Sequence, residues 1–170
     1  MSVLTKEAII ERMKKKEIVI SPYSEDCIGP ASYDLHLGNV FRVFKKMKGV
    51  LKVEDHMDFD AISELVTVQD HFLLMPGETV HGITQEKITL PPDICSWLEG
   101  RSSLGRLGLG VHITAGFNHP GMDAKEVLEI TNLGPIALEL KPGLKICQMV
   151  FEECLGNAHY DGRFVQQETP

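Results

Sequence analysis

The sequence predicts a mainly β fold, a distorted β-barrel or jelly roll with a short N-terminal helix. Two observations support this prediction. From residue 18 onward, short apolar or alternating runs are separated by proline and glycine, which is the pattern of strands joined by turns. Helical spacing of apolar residues occurs near the N-terminus and does not alternate with the strands, which argues against a parallel sheet with crossover helices.

The elements follow in chain order. Residues 5–16 place Ala8, Ile9 and Met13 at helical spacing, and Thr5 stands where an N-cap would lie. A dozen strands are then predicted, at residues 18–20, 33–37, 40–44, 65–68, 72–75, 78–83, 88–90, 94–98, 110–113, 127–131, 136–140 and 146–152. Trp97 is expected in the core, close to the glycine-rich run that follows it.

Length and composition limit the classes of protein that fit. The 170 residues predict a single domain, 1–170, in which the polar segment 157–170 is a C-terminal lid or tail. The formal net charge of -7 argues against a nucleic-acid partner, and apolar stretches fall short of a membrane span, so no membrane partner is expected. The N-terminus lacks a signal-peptide pattern, which predicts a cytoplasmic protein.

The cysteines are expected to be free thiols. Cys27, Cys95, Cys147 and Cys154 are widely spaced and form no Cys-x-x-Cys pair. A zinc-dependent nucleobase deaminase needs a His-x-Glu and a Pro-Cys-x-x-Cys, and the chain has neither. The histidines also lack metal-ligand spacing. The sequence therefore predicts no zinc and no metal held by the protein.

Two stretches carry candidate chemistry. Residues 99–109, EGRSSLGRLGL, place two arginines and two serines among three glycines, a composition suited to phosphate binding. Glu129 lies in the apolar run 127–130, where burial would raise the pKa of a carboxyl group and suit it to acid–base work at neutral pH. The alternatives are a glycine-rich turn with surface arginines and a glutamate on the solvent face of a strand.

Together with these stretches, other motifs resemble the dCTP deaminase family, within the trimeric dUTPase-like superfamily. They are PASYDLHLG at 30–38, MPGE at 75–78, TAGF at 114–117, VLE at 127–129, LKPG at 140–143 and ICQ at 146–148. Their order and spacing cover nearly the whole chain. The resemblance implies a dUTPase-like β-barrel or jelly roll assembled as a homotrimer, with active sites between subunits.

The resemblance also implies roles for individual residues. Glu129 matches the family's general base and acid, which takes a proton from water before attack on C4 of cytosine. Ser102 and Arg106 match the residues that hold the base and the attacking water, and Ala115 matches a position whose backbone contacts them. The remaining matches to nucleotide-binding positions are Arg101, Ser103, Leu104, Gly105, His119, Val127, Leu128, Gln148, Tyr160, Arg163 and Gln167.

The chain departs from the family pattern at two places. His119 stands where the family has an aspartate that contacts the deoxyribose and, in dUTPases and bifunctional members, helps to position the water that attacks the α-phosphate. A histidine is a poorer base for that step, and Asp123 could compensate in part. Arg163-Phe164 stands where Lys-Tyr is usual, in the segment that closes over the nucleotide in the family.

The expected function is zinc-independent deamination of dCTP to dUTP and ammonia, in the synthesis of dUMP and dTTP precursors. Mg²⁺ would enter through the substrate triphosphate, and dUTP and dTTP are further candidate ligands. Two alternatives stay open. One is a bifunctional dCTP deaminase/dUTPase that gives dUMP and diphosphate, or a plain dUTPase; the other is a catalytically silent nucleotide-binding trimer.

Overall fold

The computed structural model describes residues 2–162 and 164–170. A nine-residue helix, α1 (Lys6–Lys14), packs its buried Ile9 into the core. Two short helices follow, α2 (Phe59–Ile62) and α3 (Ser102–Gly105), and a single 3₁₀ turn covers Glu25–Cys27. Most of the remaining regular structure is strand, so the predicted mainly β fold with a short N-terminal helix is confirmed.

Twelve strands are present in the described residues. They are β1 (Val19–Ser21), β2 (Tyr33–His36), β3 (Val40–Phe44), β4 (Ser63–Thr67), β5 (Phe72–Leu74), β6 (Thr79–Thr89), β7 (Ile94–Gly100), β8 (Leu109–Gly110), β9 (Phe117–Asn118), β10 (Asp123–Asn132), β11 (Leu138–Leu140) and β12 (Lys145–Glu153).

Two larger sheets and one two-stranded sheet make up the fold. The first has the order β4-β3-β6-β10-β8, with β1 also paired to β6, and the second has the order β2-β12-β7-β9. The strands β11 and β5 form the two-stranded sheet. Every strand pair is antiparallel in the described part of the chain, as expected where no crossover helices connect the strands. The two larger sheets share one hydrophobic core, to which both Phe41 and Phe151 contribute fully buried rings.

The strand β10 places the site. Its residues alternate between half-buried and buried positions along all ten residues, because successive side chains point to opposite faces of a strand. Leu128 and Ile130 lie in the core with no exposed surface, whereas Val127 and Glu129 lie on the other face. Glu129 therefore projects from the outer face of a well-packed sheet.

The structure differs from the sequence prediction in several elements. The predicted strands 78–83 and 88–90 are a single strand, β6, whose register with β10 shifts between Lys125 and Val127. The strand β9 was not predicted. Thr5 occupies the N-cap of α1, but its side chain makes no capping hydrogen bond. Trp97 is 44% exposed and donates from Nε1 to Glu152, so its predicted place in the core is wrong.

The four cysteines are free thiols as predicted; three are buried and Cys154 is half-buried. No helix in the described residues is long and apolar enough to cross a membrane.

Candidate active site

A cavity of about 880 Å³ lies against the outer face of the first sheet, and we call it the Glu129 cavity. The strands β3, β6 and β10 contribute Arg42, His81 and Glu129 to its wall. The chain between β8 and β10, which includes β9, contributes Ala115 and residues 117–119, and the C-terminal segment lines another side with Tyr160 and residues 164–170. The cavity thus combines a rigid sheet face with a loop and a chain terminus.

The Glu129 carboxylate is fixed by backbone N–H groups. Its Oε2 atom accepts hydrogen bonds from the N–H groups of Ile113 at 2.6 Å, Thr114 at 2.7 Å and Ala115 at 3.3 Å. These donors are consecutive residues of the loop after β8, so the loop and the strand hold each other in place. Within the described residues all hydrogen bonds to this carboxylate reach Oε2, which leaves Oε1 available as an acceptor.

The environment sets the charge of Glu129. Burial raises the pKa of its carboxyl group, but the N–H donors of Thr114, Ile113 and Ala115, together with the positive form of His81, outweigh that effect and leave the pKa below its ordinary value. The upward shift predicted from the apolar run is therefore wrong, because the sequence gives no sign of the loop that solvates the carboxylate. Glu129 is ionised at neutral pH, which is the state that a base requires.

His119 stands in an aromatic cluster that lines the Glu129 cavity. Its ring stacks on Tyr160 with centroids 5.2 Å apart and planes 5° apart, and it meets the edge of Phe117 at 4.9 Å. The Tyr160 N–H also donates to the carbonyl of Pro120 at 2.9 Å. His119 therefore connects the loop before β10 to the C-terminal segment.

Asp123 does not take the place of a carboxylate at position 119. It accepts from the Thr89 hydroxyl at 2.6 Å and pairs with Lys87 at 2.9 Å, and these contacts lower the pKa of its carboxyl group. These partners lie on β6, and Asp123 is absent from the cavity wall formed by the described residues. The structure thus gives no support to compensation by Asp123.

The arginine–serine run lies elsewhere on the same chain. Ser102 and Ser103 begin α3, and their side chains are exposed, as is that of Arg106. Arg101 is directed inward: one guanidinium nitrogen donates to the carbonyl of Lys145 at 2.8 Å, and the other pairs with Asp34 at 3.2 Å. Arg101 therefore anchors α3 to the second sheet.

Gln148 lies beside this run. Its amide nitrogen donates to the carbonyl of Gly100 at 3.1 Å, and its amide oxygen accepts from Ser32 at 2.8 Å. Gln148 consequently belongs with α3 and the second sheet, and it does not line the Glu129 cavity among the described residues.

The predicted site residues fall into two groups within one chain. The Glu129 cavity brings together Ala115, His119, Val127, Glu129, Tyr160 and Gln167. The second group comprises Arg101, Ser102, Ser103, Leu104, Gly105, Arg106 and Gln148, none of which lines that cavity. Leu128 is fully buried on the core face of β10. Arg163 lies outside the described residues.

Sequence reasoning missed several residues of the cavity wall. Arg42, His81, Asn118 and Lys125 line it without having been predicted. The position of His81 opposite Glu129 depends on strand pairing across 48 residues of chain, so the sequence pattern gives no sign of it. Asn118 adjoins His119 and belongs to the unpredicted strand β9.

The described residues offer no set of ligands for a metal ion. They contain no group of three or more His, Cys, Asp or Glu side chains that could hold a metal ion.

Comparison with known proteins gives a consistent family. The dCTP deaminase-like family model matches residues 3–154. A protein of Methanobrevibacter smithii named "dCTP deaminase, dUMP-forming" is 39% identical over 156 residues, which cover 89% of this chain and 80% of the relative. A protein of Methanosphaera stadtmanae with the same name is 36% identical and covers 100% of this chain and 92% of the relative.

Solved structures share the fold. The 2'-deoxycytidine 5'-triphosphate deaminase of Agrobacterium tumefaciens superposes with a TM-score of 0.69 at 20% identity, over 88% of this chain. The match covers 47% of that longer protein. A mutant dUTPase of Staphylococcus bacteriophage 80alpha superposes with a TM-score of 0.53 at 12% identity, over 86% of this chain and 96% of that one. The fold is therefore the dUTPase-like fold that the motifs implied.

Proposed function

The chain belongs to the dCTP deaminase-like family, and we propose that it converts dCTP to dUMP in two hydrolytic steps. In the first step water replaces the cytosine amino group, giving dUTP and ammonia. In the second step water attacks the α-phosphate of dUTP, giving dUMP and diphosphate. The names of the relatives at 36–40% identity support this bifunctional reaction over the release of dUTP expected from the sequence.

The observation that carries the proposal is the ionised Glu129 carboxylate held at the cavity wall. Three backbone N–H groups fix Oε2, so the carboxylate has one orientation, and Oε1 can accept a proton from a water placed against the base. The hydroxide so formed adds to C4 of cytosine. Glu129 then passes this proton to the ring nitrogen, which completes the addition. It next takes a second proton from the added hydroxyl and gives it to the amino group, so that the bond between C4 and the amino nitrogen breaks and ammonia leaves.

The other half of the site is proposed to come from a second copy of the chain. Ser102 and Ser103 are exposed on α3 and Arg106 is exposed at its C-cap, whereas Glu129 lies in a cavity that α3 does not line. In a homotrimer the α3 of one subunit would enter the Glu129 cavity of its neighbour. There the Arg106 guanidinium would stabilise charge that develops on the base, and the serine hydroxyls would donate to base and phosphates.

The C-terminal segment is proposed as the cover of the bound nucleotide. Residues 164–170 already line the cavity, and the N–H of Lys125 donates to the carbonyl of Gln167 at 3.1 Å. Mg²⁺ would arrive with the triphosphate and keep phosphate and water ligands, without zinc and without a protein cage. His119, stacked on Tyr160, would face the sugar and offer its ring nitrogens to a sugar hydroxyl.

Product analysis tests the proposal. The purified protein is incubated with dCTP and Mg²⁺, and ammonia, dUTP, dUMP and diphosphate are followed over time. Ammonia and dUMP should appear together, and Glu129→Gln should lower the rate of ammonia release by about 10²-fold to 10⁴-fold. The matched control is Glu139→Gln, an exposed glutamate of β11, which should retain the wild-type rate.

Two other outcomes are informative. Accumulation of dUTP without dUMP would restore the deaminase that releases dUTP, as the histidine at position 119 led us to expect from the sequence. Tight binding of dCTP without any product would replace the enzyme with a nucleotide-binding protein.

A further inference from the structure

A histidine stands directly beside Glu129 on the neighbouring strand. In the register of the first sheet, Glu129 of β10 is paired with His81 of β6, and His81 is paired on its other side with Arg42 of β3. Directly paired residues of antiparallel strands have Cβ atoms about 5 Å apart on the same face. Arg42, His81 and Glu129 therefore form a row across the sheet, and all three line the cavity.

The surroundings of His81 oppose its positive charge. The ring is half-buried, and the edge contact with Phe44 places the two ring centroids 5.2 Å apart. Burial lowers the pKa of His81, the Glu129 carboxylate raises it, and the Arg42 guanidinium lowers it, with a net downward shift. These are the charged groups that face it from the two adjoining strands, so the imidazole is neutral at neutral pH.

Arg42 is held by other acceptors. Its Nε donates to the carbonyl of Pro170 at 2.7 Å, and Nη1 donates to Asp60 at 2.6 Å and to Ser63 at 3.1 Å. These contacts direct the guanidinium toward α2 and the C-terminal segment. His81 is thus the member of the row placed to act on the carboxylate of Glu129.

We propose that His81 is a positioning residue that leaves Glu129 free to act as a base while the imidazole is neutral, and that protonation of His81 stops deamination by pairing the imidazolium with Glu129. This inference rests on the proposed deamination. In this proposal the protonation state of His81 controls whether Glu129 can act as a base, and the His81 side chain need not touch the substrate.

The geometry of Glu129 gives the physical reason. Because Oε2 is occupied by the loop N–H groups, Oε1 is the oxygen that must take the proton from water. An imidazolium carries N–H donors on both ring nitrogens, so it can donate to Oε1 whichever tautomer preceded it. Pairing would stabilise the carboxylate, weaken it as a base and exclude the water. Activity should therefore fall with decreasing pH before Glu129 itself is protonated.

The first test compares pH profiles. Ammonia release from dCTP is measured from pH 4.5 to pH 9 for wild type, His81→Gln and the exposed control His71→Gln, each normalised to its own maximum of kcat/KM. Glutamine keeps hydrogen-bonding capacity and removes the titration. On the acid side, the fall of kcat/KM should occur about two pH units lower in His81→Gln than in wild type. Two units is the interval between ordinary imidazole and carboxyl pKa values. His71→Gln should follow wild type, and superposable profiles for His81→Gln and wild type would overturn the proposal.

The second test does not depend on activity. The titration of the His81 ring is followed by NMR in wild type and in Glu129→Gln, with the signal assigned by its loss in His81→Gln. Removal of the Glu129 charge should lower the midpoint by about half a pH unit or more. An unchanged midpoint would contradict the coupling. If wild type releases no ammonia at any pH but the midpoint shifts, the proposed function fails while the coupling of His81 to Glu129 stands.

Discussion

Two glutamates three residues apart on β10 have opposite environments. Glu129 faces the cavity, and three N–H donors keep the pKa of its carboxyl group low despite burial. Glu126 lies on the buried face of the strand with 6% of its surface exposed, and its Oε1 has no hydrogen-bond partner among the described residues. Burial raises the pKa of Glu126 to about 8. Position along a strand thus decides whether a carboxylate is solvated by the backbone or desolvated by the core.

The buried Glu126 predicts a pH-dependent stability. The pKa of the Glu126 carboxyl group is higher in the folded protein than in the unfolded chain. Its contribution to the free energy of unfolding is therefore fully present below the ordinary carboxyl pKa and is lost as pH rises through about 8. Between pH 4 and pH 9 the free energy of unfolding of wild type should fall relative to that of Glu126→Gln by roughly 3 to 5 kcal/mol. Urea denaturation at each pH measures the difference. Glu139→Gln, a change at an exposed position, should show the same pH dependence of the free energy of unfolding as wild type. If Glu126→Gln also showed the wild-type pH dependence, Glu126 would not be its source.

At the level of elements, the strands were more predictable than the short connections. Alternation and apolar runs reveal β3 and β12 directly, since each has one buried face. The strand β9 has two residues, too few to reveal the alternation of buried and exposed side chains that marks a strand. The helix α3 lies in a glycine-rich run, a composition that is equally typical of a turn. The loop 113–115 that binds Glu129 acts through backbone N–H groups, which leave no trace in residue identity.

The corner between α3 and β8 requires glycine at position 108. Gly108 has φ +82°, and a Cβ there would lie 2.5 Å from the backbone nitrogen of Gly134. Gly108→Ala should lower the free energy of unfolding by about 2 kcal/mol or more, because both the left-handed backbone and the close approach oppose a side chain. Gly105→Ala is the matched control, since a Cβ there would meet no atom within 4 Å. Chemical denaturation of both variants should separate them, and equal stabilities would contradict the assigned corner.

On the scale of the whole molecule, the sequence identified the chemical groups but not their arrangement in space. The motifs placed Glu129 and Arg106 in one active site, and the structure puts them on different parts of the chain, with Arg106 exposed beside α3 and Glu129 inside its cavity. The family resemblance implies active sites between subunits, but the residue pattern itself does not distinguish contacts within one subunit from contacts across an interface. The distinction is physical, and it can be measured by mixing defective subunits.

Glu129→Gln and Arg106→Ala should each abolish deamination when expressed alone, and their co-expression should restore it. If Glu129 of one subunit and Arg106 of another form each site, a random mixture has about a quarter of its sites with both residues intact, so about a quarter of the wild-type activity should return. A double variant, Glu129→Gln with Arg106→Ala, co-expressed with wild type is the control for expression level, since random assembly again leaves about a quarter of the sites intact. No recovery in the first mixture, with about a half of the activity retained in the control, would place both residues in one subunit and require α3 to move into the Glu129 cavity of its own chain.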